Sequence, residues 1–502
     1  MRLGRYFSTA GRLAIAVLLG LGAGATAYAQ ELGGADDAED LDMNNPRVVA
    51  RQLGVSGDDM RPDEQFETTL FGRTLIIGGE LEAAGQARRR LDPGAEDGVA
   101  KLTPEAQLEF LYLPTDQIVA FAEVKAFTDD EIWSETDKRE SEAGLDLREA
   151  WVLLPNLFGS HVSLQAGKQQ YQDRREWWWN ENLDSVRLHY LDGPVTGFLG
   201  FAETVLRTST LEDIDPEEKK VQRILGNAAY SWSKHDRLEA FLLDQHDHSS
   251  VTPIGAQVGE DDADESDADL TWIGVRGRMR QKLGDLGKAY INLDLASVKG
   301  EETLVEYDDL APGFAEVADT SRRDVSGWAT ELTVSWELPL DFEPVLSAAY
   351  AYGSGDSDPN DGEDGNFRQT GLHGDNSKFR GISRFRYYGE TIRPELSNVG
   401  IATLSAGTPA PAPTGGEAWL EVIYHNYRQV ELSESFRTDR LDVDPSGLNK
   451  DLGDAMDLVY AFELGRNWEF EATVGGFRYG EAFGAAEGKW ATSFSFKLDY
   501  NF

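Results

Sequence analysis

The chain ends in SFSFKLDYNF (residues 493–502), where Phe494, Phe496, Leu498, Tyr500 and Phe502 alternate with Ser495, Lys497, Asp499 and Asn501. Successive side chains of a strand point to opposite faces, so this segment has one apolar face, one polar face and a terminal aromatic. The other terminus says where such a strand works. MRLGRYFSTAGRLAIAVLLGLGAGATAYAQ (residues 1–30) carries Arg2, Arg5 and Arg12, then an apolar run from Leu13 to Leu21, then Ala27, Tyr28 and Ala29. That order reads as a secretory signal peptide cleaved after Ala29. Its apolar run falls short of the roughly 20 residues that span a bilayer as a helix.

An exported chain that closes on a strand with one apolar face is expected to be an outer-membrane β-barrel of a Gram-negative bacterium, with lipid outside and water inside. The 18 segments that follow Phe66 agree. AQLEFLYL (106–113), VTGFLGFAETVL (195–206), KAYINLDLASV (288–298) and NWEFEATVGGFRY (467–479) are typical in alternating apolar with polar or small residues. The first of the series is TTLFGRTLIIGGELEA (68–83). Links after even-numbered segments are short, such as PTD, DGP, SKHD and PLDFE, with TPAPAPTGG (408–416) the one long one. Links after odd-numbered segments are long, including 128–144, 247–268 and 354–396, which is the asymmetry of periplasmic turns and outer loops. The predicted organisation is a signal peptide (1–29), a flexible acidic periplasmic leader (30–65) and an all-β, transmembrane antiparallel barrel of 18 strands (66–502). A barrel of that size leaves a lumen, so function is sought on the lumen face.

Charge narrows the class of cargo. The formal charge is −42, and loss of the three signal-peptide arginines takes it to −45. Nucleic acid is disfavoured by that field. There is no cysteine, hence no disulfide and no thiolate metal site. DSDPNDGEDGNF (356–367) has calcium-loop spacing at Asp356, Asp358 and Asn360. It lacks the glycine at position six, which is Asp361, and the glutamate at position twelve, which is Phe367. No metal, no cofactor and no enzyme motif is expected. Trp177, Trp178 and Trp179 read as an interfacial girdle in preference to a sugar platform.

Against this acidity, KFRGISRFRYYGETIR (378–393) gathers Lys378, Arg380, Arg384, Arg386 and Arg393 around the single acid Glu390. Arg148 shares a parity with Ala150, opposite to Trp151 and Leu153, and is expected to point inward. Lys168 is expected on the lumen side also, with Asp173, Arg174 and Arg175 near that strand's outer end. RQTGLHGDNSKFRGISRFRYYGETIRPELSNVG (368–400) resembles the corresponding region of the alginate outer-membrane export porin family. LREAWV (147–152) and GKQQ (167–170) are similar to a second block of that family. The resemblance implies a monomeric 18-stranded barrel whose constriction of arginines, lysines and a few acids selects for a polyuronate. Periplasmic polysaccharide-secretion proteins are its implied partners. Carried over, the pore-lining residues are Arg148, Lys168, Asp173 and Arg174, with Arg384, Arg386 and Arg393. Lys168 stands where the family has arginine, and the family's long periplasmic loop before the penultimate strand is replaced by Arg466 and Asn467. An anion-selective nutrient-uptake porin is the alternative. If the basic stretch sets selectivity, Arg384→Glu with Arg386→Glu reduces the anion preference read from reversal potentials in planar bilayers; an unchanged potential counts against it.

Overall fold

The computed structural model describes residues 65–502, apart from 95–96, 136–139, 212–213, 250, 379–383, 413–414, 439 and 466. The signal peptide and the leader, but for Gln65, lie outside the described residues. Eighteen antiparallel strands form the barrel. The first nine are β1 (Arg73–Arg89), β2 (Val99–Thr115), β3 (Ile118–Ser134), β4 (Ser141–Leu154), β5 (Val162–Gln172), β6 (Asn180–Asp192), β7 (Val195–Glu203), β8 (Val221–Ser231) and β9 (Arg237–Asp247). The rest are β10 (Ser266–Lys282), β11 (Lys288–Ala311), β12 (Phe314–Glu337), β13 (Val345–Gly353), β14 (Val399–Pro409), β15 (Glu417–Gln429), β16 (Asp451–Leu464), β17 (Trp468–Tyr479) and β18 (Trp490–Asn501).

Each strand pairs with its neighbour in sequence, and β18 returns to β1 in a register running from Glu80↔Asn501 to Arg89↔Thr492. The closing bonds continue to the last residue: Gly79 N–H donates to the Phe502 carbonyl (3.1 Å) and Phe502 N–H to the Gly79 carbonyl (3.0 Å). Below that point the edge of β1 is covered by the short strand Phe66–Leu70, from Phe66↔Ile77 to Leu70↔Arg73. The predicted first strand, 68–83, is therefore a hairpin. Its two turn residues, Phe71 and Gly72, both have positive φ (52° and 74°), as a two-residue hairpin turn of this hand requires.

The terminal strand divides as its alternation predicts. Phe494 is exposed on the outer face, whereas Lys497 pairs across the inner face with Glu82 (2.9 Å) and Asp499 (3.2 Å). Leu199, Leu238, Ile273, Val275, Leu332, Leu404 and Val474 extend the same exposed apolar belt around the wall. Aromatic pairs mark its two borders: Trp468 with Tyr500 (ring centroids 4.6 Å apart) at the turn side, Trp328 with Tyr352 (4.7 Å) at the loop side. Several predicted loops are strand. β11 and β12, 24 residues each, reach about 80 Å at about 3.3 Å per residue. The apolar band of such barrels is only about 25 Å tall, so this hairpin stands far outside the membrane. Val275→Arg on the lipid face is expected to lower unfolding stability in vesicles by about 2–4 kcal/mol; an unchanged denaturation midpoint would place that face in the lumen.

Candidate functional site

Two outer loops turn inward and fill the barrel. The shorter, 173–179, leaves β5 at Asp173, whose carboxylate organises it: Oδ1 accepts from Arg175 N–H (3.0 Å), and Oδ2 from Trp178 N–H (2.7 Å) and Trp179 N–H (3.2 Å). Glu176 takes a positive φ of 53°. The turn drives Trp177, Trp178 and Trp179 into the interior, each no more than 3% exposed. Trp178 stacks on Phe241 of β9 (4.9 Å, 7° between planes) and Trp177 on Phe367 of the longer loop, 354–398 (6.1 Å). The triple tryptophan is thus neither a girdle nor an open sugar platform. Rings of this size each bury about 150–250 Å², and here they make the apolar heart of a plug together with Leu372, Tyr388, Ile392 and Leu396.

The plug is held to the wall by ions. Arg175 bridges Asp294 of β11 and Glu331 of β12, with the Tyr387 ring 4.2 Å from its guanidinium carbon. Arg276 of β10 joins Asp294 (2.5 Å) to Asp173 (2.5 Å). Tyr388 donates its hydroxyl to Glu331 (2.7 Å) and accepts from the Trp177 indole N–H (2.7 Å). Farther round, Glu390 accepts from Arg393 (2.6 Å), its N–H reaches Asp457 (3.1 Å), and its carbonyl accepts from Arg440 (2.9 Å). Removing one partner of such a buried pair strands the other charge.

The candidates from sequence fall in different places. Trp151 and Leu153 are 3% and 0% exposed and face the lumen, while Val152 is exposed on the outer wall, so the parity assumed for Arg148 was inverted. A bulge between the pairs Glu123↔Glu149 and Val124↔Leu147 leaves Arg148 as the extra residue. That irregularity brings it to the inside, with its Nε 3.8 Å from Glu123. Alternation along β5 places Gln165 and Gln169 (both 0% exposed) inward. It sets Lys168 on the other face, across from Ala150 and Asp184. Lys168, half-buried, is in electrostatic reach of Glu181, as is Arg148. Asp173 is the turn-forming acid already described. Arg174 is exposed, on the floor of the plug. Arg393 is bound to Glu390. The backbone of Arg384 and Arg386 pairs with Asn376–Lys378 in a hairpin of loop 354–398, and their side chains lie outside the described residues.

Other arginines also face inward. RGRMRQK (276–282) puts Arg276, Arg278 and Arg280 at alternate positions, opposite to Val275 and Met279, and the same parity argument applied to it would have found them. Arg237 of β9 lies across from Arg278. Arg187 of β6 is buried between the Tyr171 ring (4.5 Å) and Gln165 (3.0 Å). At the turn below, the Arg280 backbone N–H (2.8 Å) and the Ser233 hydroxyl (2.7 Å) hold the Asp236 carboxyl below its ordinary range. The opposite wall is acidic, with Glu469, Glu471, Asp499, Glu80, Glu82 and Glu105 on the inner face of β17, β18, β1 and β2. Carboxylate oxygens of Glu80, Glu82 and Asp499 come within 4.8 Å of one another, but Lys497 already supplies their cation. Arginines therefore gather on one side of the lumen, interleaved with Glu239, Asp294 and Glu331, and the wall across from them is rich in acids around Lys497.

A family model described as alginate export matches residues 69–495. The chain belongs to the alginate export family. It is similar to alginate production protein AlgE of Pseudomonas aeruginosa, 26% identical over 351 residues, which make up 66% of this chain and 66% of that protein. The AlgE protein of Azotobacter vinelandii is 24% identical over 292 residues, 56% of this chain and 58% of that one. The chain thus spans less than two thirds of the length of these relatives, 66% of one and 58% of the other. Among solved structures, outer membrane protein OprD from Pseudomonas aeruginosa superposes with a TM-score of 0.48 at 11% identity, covering 85% of this chain and 94% of that chain. OccK8 (OprE) from the same organism gives 0.49 at 9% identity, with 85% and 98% covered. Within this barrel the plug's ionic node is the feature to break. Arg175→Ala leaves Glu331 without its arginine while Asp294 keeps Arg276, a cost of about 3–5 kcal/mol, and is expected to raise single-channel conductance by loosening the plug; conductance equal to wild type would show that the node does not hold it.

Proposed function

We propose that the barrel conducts an anionic polysaccharide, alginate or a related polyuronate, outward across the outer membrane by passive, charge-selective passage. The observation that carries this reading is the match of the alginate export family over residues 69–495, and the closed barrel that residues 73–501 form is consistent with it. The relatives' printed names tie them to alginate production. On this reading the protein is a channel and not an enzyme. It acts as a monomer, and periplasmic polysaccharide-secretion proteins deliver its cargo.

The mechanism asks two things of the residues. The plug of 173–179 and 354–398 must shift, because its aromatic heart and its Arg175 and Arg276 contacts occupy the lumen. Fixed cations must then offset the desolvation of each carboxylate without gripping it, since conduction needs binding favourable enough to enter and weak enough to leave. Arg148 and Arg393, already paired with Glu123 and Glu390, fit the second requirement: a neighbouring acid keeps each interaction exchangeable. The family's long periplasmic loop is replaced by a turn from Leu464 to Trp468, two residues that pair with each other. We infer that gating belongs to the outer loops. In planar bilayers, an oligomannuronate is expected to interrupt the current while a neutral maltooligosaccharide of equal length leaves it open; an anion current that the oligomannuronate does not touch would point to a nutrient-uptake porin.

A further inference from the structure

We infer that the upper half of the β5–β6 hairpin, residues 168–184, is a flap that swings on Gly167 and Ser185, while the segment 204–211 stands in for it in the barrel wall as a fixed strap. On the channel reading, on which this rests, the plug must shift, and the flap is the part of it that swings. β4 pairs with β5 only from Leu154↔Leu164 up to Ala150↔Lys168. β6 pairs with β7 only from Asp192↔Val195 up to Ser185↔Ala202. Above those pairs the two strands hold on to each other, out to Gln172↔Asn180, and the plug turn 173–179 is their tip. Three breaks mark the level where the hairpin leaves the wall. Gly167, across from Ser185, has a φ of 128°, and a Cβ there would collide with the Ala150 carbonyl oxygen, so this bend needs glycine. Leu183, Asp184 and Ser185 are buried in succession, which ends the alternation of β6. Arg148 bulges from β4 just above its last pair with β5.

A wall that loses two strands needs a cover. The chain leaves β7 and crosses to β4, where Leu147 N–H donates to the Thr208 carbonyl (3.0 Å) and Thr210 N–H to the Leu145 carbonyl (3.0 Å). Asp184 holds the near end of this strap, its Oδ2 accepting from Val205 N–H (3.0 Å) and Leu206 N–H (2.9 Å). Val205 and Leu206 are exposed, like Val186 and Phe201 on the neighbouring strands, and continue the lipid-facing belt. On the flap, Lys168, Gln170 and Gln172 share one polar face with their cross-strand partners Asp184, Asn182 and Asn180. Hydrocarbon does not tolerate such a face, and the strap spares it that contact. The shut position is not a fully satisfied one: the side-chain carbonyls of Gln172 and Asn182 and Oδ1 of Asp184 accept no hydrogen bond among the described residues, each a cost to that arrangement. The barrel is thus sealed against lipid without the upper hairpin, which leaves the hairpin free to move when the lumen opens.

The chain has no cysteine, so an introduced pair is the sole target of oxidant and reductant. Asp146 and Ser209 form a non-hydrogen-bonded bridge between β4 and the strap, a pairing whose Cα atoms lie about 4.5 Å apart and which suits a disulfide. In planar bilayers, Asp146→Cys with Ser209→Cys should conduct equally when oxidised and when reduced, because the strap stays in place. Adding Gly167→Ala, which the bent strand does not accommodate, should raise the time spent open at least about fivefold, oxidised or reduced. Should Gly167→Ala fail to fold by heat-modifiable gel mobility, spin labels on Arg174→Cys and Ser209→Cys in the otherwise wild-type chain read the same motion, as two separations whose balance Arg175→Ala shifts. A disulfide that stops conduction, wild-type open time in folded Gly167→Ala, or a single separation overturns the flap. These readouts use salt currents and distances, so a flap that opens in a barrel impermeable to hexamannuronate keeps this inference and overturns the export reading.

Discussion

Every backbone N–H and C=O in hydrocarbon must find a partner within the protein, and here that demand is met at one seam, where β18 pairs with β1. The rest depends on it. If the register there moved by one residue, Lys497 and Asp499 would face lipid and Phe494 and Phe496 would face water. The chain protects the seam at its lower end twice, by the bonds between Gly79 and Phe502 and by the short strand Phe66–Leu70 that continues the edge after the C-terminus stops. Closure also sets the lumen's contents, because a sheet with lipid on one face has only its other face for charge.

What fills that lumen is a compromise between apolar packing and ion pairing. The tryptophan turn is stabilised as a core would be, through ring stacking on Phe241 and Phe367. It is seated by salt bridges that use up Arg175, Arg276, Asp173, Asp294 and Glu331. A purely apolar plug would have no specific seat on a polar wall; a purely ionic one would hold water and ions.

The strand plan was legible in the sequence because alternation is a two-residue signal that lipid enforces on every strand. All 18 predicted segments have a counterpart, although 68–83 concealed a hairpin whose Phe71–Gly72 turn lies in an apolar run, and 299–326 concealed strand beyond the membrane, where no lipid marks the pattern. Side-chain direction was less legible. The Arg148 argument took Trp151 as lipid-facing, but a small apolar cluster with Phe121, Val119 and Leu153 lies on the lumen wall, and a bulge then restored the arginine to the inside. The tryptophans read as a girdle because nothing local distinguishes an interfacial aromatic from one that a distant loop will cover. Arg276, Arg278 and Arg280 are legible by the same alternation, but three arginines spaced along one strand give a weaker signal than the denser basic stretch at 378–393.

Flux of the polymer itself tests the central claim most directly. Purified barrel reconstituted into liposomes loaded with fluorescently labelled polyuronate should release the polymer faster than protein-free liposomes, and should retain a neutral dextran of equal size. Retention of the polyuronate, or equal release of both polymers, would contradict the account.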